Sequence, residues 1–150
     1  MIALDSIYIV ANTLALAGWS ALFVCAASGM KVSWRIGRLV AIGLAILYAV
    51  LIFNLLPFQG GGFDSLDNLT RLFAQPEIAL VGWVHYLAFD LFIGSWQLQT
   101  AERENMRGFV LLPSLFLTMV FGPVGLLFFL LVRRLGFQTQ YSKRHSVGQV

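Results

Sequence analysis

The sequence predicts an all-α integral membrane protein, a four-helix bundle with a short interfacial amphipathic helix between helices 2 and 3. Composition is the first observation behind this prediction: of 150 residues, 59% are hydrophobic and 11% are charged, and the mean hydropathy is +0.81. A soluble domain carries about 25% charged residues. The chain lacks the polar side chains that a water-facing surface needs, which excludes an ordinary soluble enzyme, a disordered chain and a nucleic-acid-binding domain.

Four long apolar runs are the second observation, and they lie at about residues 6–27, 39–58, 78–98 and 109–132. Each is roughly 20 residues or longer, which suffices to cross a hydrocarbon layer of about 30 Å. Because backbone polar groups need internal partners in lipid, apolar runs without alternation predict helices. We therefore expect one four-helix transmembrane domain over residues 1–137 and a polar, flexible tail over residues 138–150.

The first run is expected to remain in the protein as a membrane helix. Asp5 precedes it and no Lys or Arg does, whereas a signal peptide begins with basic residues. No transit peptide is recognisable either. These observations favour a multi-pass protein of the cytoplasmic (inner) membrane of a bacterium, with the lipid bilayer as its main partner.

Small residues recur at every fourth position in three of the runs, a spacing that lets membrane helices approach closely. These stripes are Ala17, Ala21, Cys25; Ala41, Ala45, Ala49; and Ser114, Thr118, Gly122. The segment Gly122-Pro123 also predicts a kink within the fourth helix, because proline removes a backbone hydrogen bond.

Residues 63–73 predict the short amphipathic helix. Apolar residues at 63, 66, 69, 72 and 73 share one helical face, and polar residues occupy the other. Two placements are open: the helix covers one end of the bundle, or it lies free at headgroup depth.

Membrane orientation is undecided for four spans, which would place both termini on one side. The side of the first and third loops would carry five Lys and Arg residues, and the opposite side also five. The positive-inside rule then gives a tie. The first two helices alone favour a cytoplasmic first loop.

The candidate site lies in the third run, where Asp90 is the only acidic residue of any run. A carboxylate at that depth costs about 2.5–3.5 kcal/mol on insertion scales, so it indicates a function by default. His85 lies in the same run, 140° away around a helix at 100° per residue. We take Asp90 and His85 as the candidate catalytic acid–base groups.

Aromatic and amide side chains near these two residues are the candidate substrate-binding groups. They are Trp83, Tyr86, Phe89, Trp96, Asn12 and Trp19. Aromatic faces provide large contact areas for an apolar ligand. The ligand-type residues lack the helix-stacked spacing of a metal site, and we expect neither a metal nor an organic cofactor.

The chain resembles the abscisic-acid-deficient-4-like family, which includes the plant neoxanthin-synthesis protein. The resemblance is carried by the string from Gly82 to Trp96, Arg103, Pro113, Leu117-Thr118, Gly122-Pro123-Val124-Gly125, Asn12, Trp19, Tyr48 and residues 63–77. It implies a membrane protein linked to xanthophyll chemistry, in which Asp90 and His85 supply the acid and base for opening an epoxide. Ser95 departs from the basic residue expected in plant members, which leaves another carotenoid or polyisoprenoid open as substrate.

Three functions follow from these observations. The first is a carotenoid-modifying, isomerase-like enzyme that acts on a lipid-soluble polyene. The second is a protein that binds a carotenoid or other lipid without turnover. The third is a proton or ion pathway through Asp90, which would require a homo-oligomer formed through the small-residue stripes.

Overall fold

A computed structural model describes residues 4–28, 33–56, 60–106 and 108–147, and these residues form six helices and no strand. The helices are α1 (Leu4–Ser28), α2 (Ser33–Leu55), α3 (Leu66–Phe73), α4 (Pro76–Arg103), α5 (Gly108–Phe121) and α6 (Pro123–Val147). The all-helical class predicted from the sequence is confirmed. Helix α4 is central, since it contacts each of the other five.

Three helices, α1, α2 and α4, are long and apolar enough to span a membrane, with 25, 22 and 28 residues in their apolar spans. They correspond to the first three predicted runs. Their outward faces carry large apolar side chains, such as Leu39 and Phe53, which are 69% and 73% exposed. A contiguous apolar exterior of this kind is typical of a surface that faces lipid.

The fourth run does not form the single spanning helix that we predicted. It forms two helices, α5 and α6, which meet at Gly122. The Ser114 hydroxyl donates to the Gly125 carbonyl over 3.3 Å, whereas residues eleven positions apart in a straight helix are separated by about 16 Å. The chain therefore reverses direction, and we call α5 and α6 together the hairpin.

Local sequence explains why the chain turns rather than kinks. Gly122 has a φ of +43°, a conformation that side chains disfavour and glycine adopts readily. Pro123 is the first residue of α6, where its missing N–H costs no helical hydrogen bond. Glycine closes one helix and proline opens the next.

A buried polar network holds the hairpin against α4. The Gln97 amide donates to the Thr118 hydroxyl over 2.8 Å and to the Gly125 carbonyl over 3.4 Å, and the Ser114 hydroxyl donates to the Gln97 carbonyl oxygen. All three side chains are buried. At the end of α4, the Arg133 Nε donates to the Glu104 carboxylate over 2.9 Å, and this bond raises the pKa of Arg133.

Small residues let α1 and α2 pack closely on α4. A Cβ on Gly94 would lie 2.7 Å from the Trp19 ring, and one on Gly37 would lie 2.8 Å from the Ser95 hydroxyl. Glycine at these two contacts allows the backbones to approach, which is how helices associate without a hydrophobic driving force between them.

Helix α3 confirms the short amphipathic helix, and it packs on the start of α4. Ser65 caps α3 by accepting from the Asn68 backbone N–H over 3.2 Å. Leu72 is fully buried, and Phe73 lies against Gly82, whereas Leu66 is 78% exposed. Of the two placements, the structure shows α3 attached to the end of the bundle.

Helix α6 continues to Val147, through most of the segment that the sequence analysis assigned to a tail. The proposed boundary between a domain at residues 1–137 and a tail at residues 138–150 stays a prediction.

The network predicts the effect of replacing Gln97. Gln97→Leu should lower the free energy of unfolding by about 1–2 kcal/mol, because about three hydrogen bonds between helices are lost at about 0.6 kcal/mol each. Thermal or denaturant unfolding in detergent micelles, followed by circular dichroism, measures this. Asn54→Leu is the matched control, since the exposed Asn54 amide bonds within its own helix to Val50. Equal stability of the two variants would contradict the role of the network.

Candidate functional site

An inner cavity of about 370 Å³ lies between α1, α4 and the tip of the hairpin. Its lining residues are Asn12, Ala15, Leu16, Trp19, Trp83, Tyr86, Leu87, Asp90, Met119 and Val120. Sites for small molecules typically measure about 300–1,000 Å³ and combine apolar walls with a few polar groups. The inner cavity has this character.

Asp90 is the acidic residue among those that line the inner cavity. Its side chain is 8% exposed, and its buried Oδ2 atom has no hydrogen-bond partner among the described residues. The carboxyl lies against the turn of the hairpin, since a Cβ on Gly122 would be 2.7 Å from Oδ1. A buried polar atom without a partner is costly; among the described residues, Asp90 Oδ2 shares this condition only with Arg38 Nε, which lies outside the inner cavity.

Tyr86 lies one helical turn before Asp90 and joins α4 to the hairpin tip. Its hydroxyl lies 3.0 Å from the Val120 carbonyl and 3.3 Å from the Met119 carbonyl, to which it donates. Both carbonyls belong to the last turn of α5, where helices leave acceptors unpaired. The hydroxyl also interacts with the Asp90 carboxyl. Tyr86 thereby supports the wall of the inner cavity nearest to the acid.

Asn12 and Trp83 form the side of the inner cavity that faces the start of α4. The Trp83 indole N–H donates to the Asn12 side-chain oxygen over 3.2 Å, and the Asn12 amide donates to the Tyr8 carbonyl over 2.7 Å. The Trp83 ring stacks on Tyr86 at 5.4 Å. The indole is therefore held by a hydrogen bond on its edge and an aromatic ring on its face.

A second, outer cavity of about 380 Å³ follows along the same two helices. It is lined by Leu4, Asp5, Tyr8, Pro76, Ala79, Leu80 and Trp83. Trp83 is the wall that the two cavities share. The hairpin turns back at the level of Asp90, so it covers the C-terminal half of α4 and leaves the N-terminal half uncovered. The outer cavity lies along this uncovered N-terminal half.

Three predicted site residues, His85, Phe89 and Trp96, lie outside both cavities. His85 is exposed on another face of α4, with its ring 5.2 Å from the Tyr48 ring and 4.5 Å from the Phe89 ring. Trp96 packs edge-on against Phe129 of α6 at 5.4 Å. The structure thus brings together Asn12, Trp19, Trp83, Tyr86 and Asp90, but it does not bring His85 to Asp90. The catalytic role of His85 stays a prediction.

The hairpin supplies site residues that sequence reasoning missed. Met119, Val120 and Gly122 contribute because the chain reverses there. The Gly122-Pro123 pair was the available signal, but we interpreted it as a kink. Within the described ranges, no group of three His, Cys, Asp or Glu side chains is arranged to hold a metal ion.

Fold and site together define an all-helical protein with three helices of membrane-spanning length and a buried carboxyl in an aromatic cavity. The chain belongs to the ABA4-like family, described as ABA DEFICIENT 4-like, whose model matches residues 6–129. This match confirms the family resemblance found in the sequence, and membership suggests a role related to carotenoids. No curated protein and no solved structure matches the chain.

The contact between the turn and Asp90 predicts a large effect of one methyl group. Gly122→Ala should destabilise the protein by at least about 1–2 kcal/mol, the cost of a left-handed conformation for a residue with a side chain, and it should displace the Asp90 carboxyl. Unfolding in detergent measures the first effect. Gly43→Ala is the matched control, because a Cβ there meets nothing within 4 Å. Indistinguishable unfolding of the two variants would contradict this description of the turn.

Proposed function

We propose that this protein is embedded in a membrane and isomerises a carotenoid-type polyene whose end group occupies the inner cavity. The single observation that carries the proposal is the buried Asp90 carboxyl, with an unpaired oxygen, in the wall of an aromatic cavity. Family membership supports the class of substrate. Exposed apolar side chains on the spanning helices support the location in lipid.

The size of the cavity favours an end group over a whole polyene. At about 370 Å³, the inner cavity is near the lower limit for small-molecule sites. Trp19, Trp83 and Tyr86 line the inner cavity, and aromatic side chains provide a large contact area for an apolar ring. The rest of a long polyene would continue past Trp83 into the outer cavity or into the surrounding lipid.

A single carboxyl suffices for the proposed chemistry. We consider a substrate whose end group carries an epoxide. In its acid form, Asp90 gives a proton to the epoxide oxygen while one carbon–oxygen bond of the epoxide breaks, and the electron pair of that bond passes to the oxygen. A neighbouring carbon then loses a proton and forms the new double bond of an allene, and the carboxylate accepts that proton. Substrate and product have the same composition, so the step consumes neither oxidant nor reductant, and Asp90 is regenerated.

Other residues of the inner cavity would position the substrate. The Tyr86 hydroxyl is engaged with backbone carbonyls, so it holds the hairpin tip beside the acid. His85 would act as the predicted base if a substrate reached the face of α4 beside Tyr48. The geometry supports Asp90 as the reacting group, and mutating Asp90 and His85 one at a time distinguishes their roles.

Asp90→Asn should abolish conversion while the protein stays folded, because the amide keeps the shape of the carboxyl and cannot donate an acidic proton. The test is co-expression in a host that makes epoxy-carotenoids, followed by chromatography of the pigments. We expect a product of unchanged mass and altered absorption spectrum with the wild-type protein and none with Asp90→Asn. His85→Ala, compared directly, should retain conversion if the inner cavity is the reacting site.

Two results would overturn this assignment. Full conversion by a folded Asp90→Asn variant would remove Asp90 from the chemistry. A chemically unchanged pigment that copurifies equally with wild-type protein and Asp90→Asn, with no product, would instead establish a carotenoid-binding protein without turnover.

A further inference from the structure

The hairpin extends only half-way along the bundle. Its turn at Gly122 lies against Asp90, in the middle of α4. Helix α5 has 14 residues, a length of about 21 Å, which is less than the hydrocarbon thickness of about 30 Å. On the way back, α6 is level with the end of α4 by Arg133, where the guanidinium binds Glu104.

This geometry changes the number of membrane crossings. Helices α1, α2 and α4 each cross the membrane once. The hairpin both starts and finishes on the side of the membrane where α4 finishes. Non-helical backbone at membrane depth is tolerated where protein buries it, and Gly122 is buried between Asp90 and the helices. Three crossings place the two ends of the chain on opposite sides.

With three crossings instead of four, most Lys and Arg residues lie at one end of the bundle, the end where α4 finishes. By sequence position, nine of the ten Lys and Arg residues fall in or next to the helix segments at that end, and Arg71 of α3 lies at the other end. The nine are Lys31, Arg35 and Arg38 around the α1–α2 connection, Arg103 and Arg107 around the α4–α5 connection, and Arg133, Arg134, Lys143 and Arg144 in α6. Four of the seven acidic residues, Asp5, Asp64, Asp67 and Glu77, lie at the opposite end.

Side chains of the cationic end are arranged as they are at a membrane surface. The Arg35 and Arg38 guanidinium groups lie 5.3 Å and 4.9 Å from the centre of the Trp34 ring. Arg38 also lies over Phe92 and donates to Gln99 over 3.0 Å. Tryptophan and arginine are both enriched where a helix leaves the hydrocarbon.

We propose that the protein crosses the membrane three times, with α5 and α6 as a re-entrant hairpin, and that its cationic end contacts the anionic headgroups of the cytoplasmic leaflet. The positive-inside rule assigns that end to the cytoplasm. The α3 end then lies on the opposite side. If the proposed function also holds, the outer cavity admits its lipid from the leaflet opposite the cytoplasm.

Thiol accessibility tests the three crossings without any pigment assay. In a Cys25→Ser background, which removes the single cysteine, Thr70→Cys marks the α3 end and Ser142→Cys marks α6. A membrane-impermeant thiol reagent added to intact cells should label Thr70→Cys and should label Ser142→Cys only after permeabilisation. Labelling of both positions from the same side would overturn the re-entrant hairpin, and the reverse pattern would overturn the orientation.

Lipid composition tests the partner of the cationic end. In nanodiscs, phosphatidylglycerol should raise the unfolding temperature of the wild-type protein relative to phosphatidylcholine. The double variant Arg35→Gln, Arg134→Gln should lose a measurable part of that rise, since it removes two exposed cations of that end. Arg71→Gln, at the opposite end, where the exposed Arg71 side chain pairs with Asp67, is the control and should keep the rise. An equal loss in both variants, or no rise in the wild-type protein, would overturn the proposed contact.

Discussion

The turn at Gly122, placed against the Asp90 carboxyl, is the constraint on which the rest of this structure depends. A left-handed backbone and the absence of a side chain are both required there. Because the chain reverses at that point, the tip of the hairpin becomes a wall of the inner cavity. The same reversal leaves the first half of α4 uncovered, which is where the outer cavity lies. One backbone conformation thus decides both the shape of the site and the course of the chain.

Polar groups around the turn fall into two classes, and the contrast is informative. Gln97, Ser114 and Thr118 are buried with partners for their side chains, as expected where water is absent. Asp90 is buried at the same interface, and its Oδ2 atom has no partner in the part of the chain that the structure describes. Leaving one oxygen of a buried carboxyl without a partner is costly, and such exceptions concentrate where proteins bind or react.

Length and apolarity were sufficient to predict three spans, but not to separate the fourth run from them. Hydropathy carries no information about the φ angle of Gly122, so a kink and a reversal look alike in sequence. The small-residue stripes show the same limit. Ser114, Thr118 and Gly122 are buried, whereas Ala17 is exposed and Ala15 is buried in its place. A helix rich in small residues offers several close-packing faces, and the choice among them depends on its neighbours.

Site residues were predictable to the extent that one helix determines them. The angle of 140° between His85 and Asp90 follows from helical geometry, but which of the two faces a cavity depends on where α1, α2 and the hairpin pack. Helix α1 and the hairpin pack beside Asp90, whereas Tyr48 of α2 lies beside His85. Orientation depends on packing in the same way. Four cations of α6 change sides when the number of crossings changes from four to three, so an even division of the Lys and Arg residues becomes nine against one. A tie in such a count is therefore itself a reason to question the assumed number of spans.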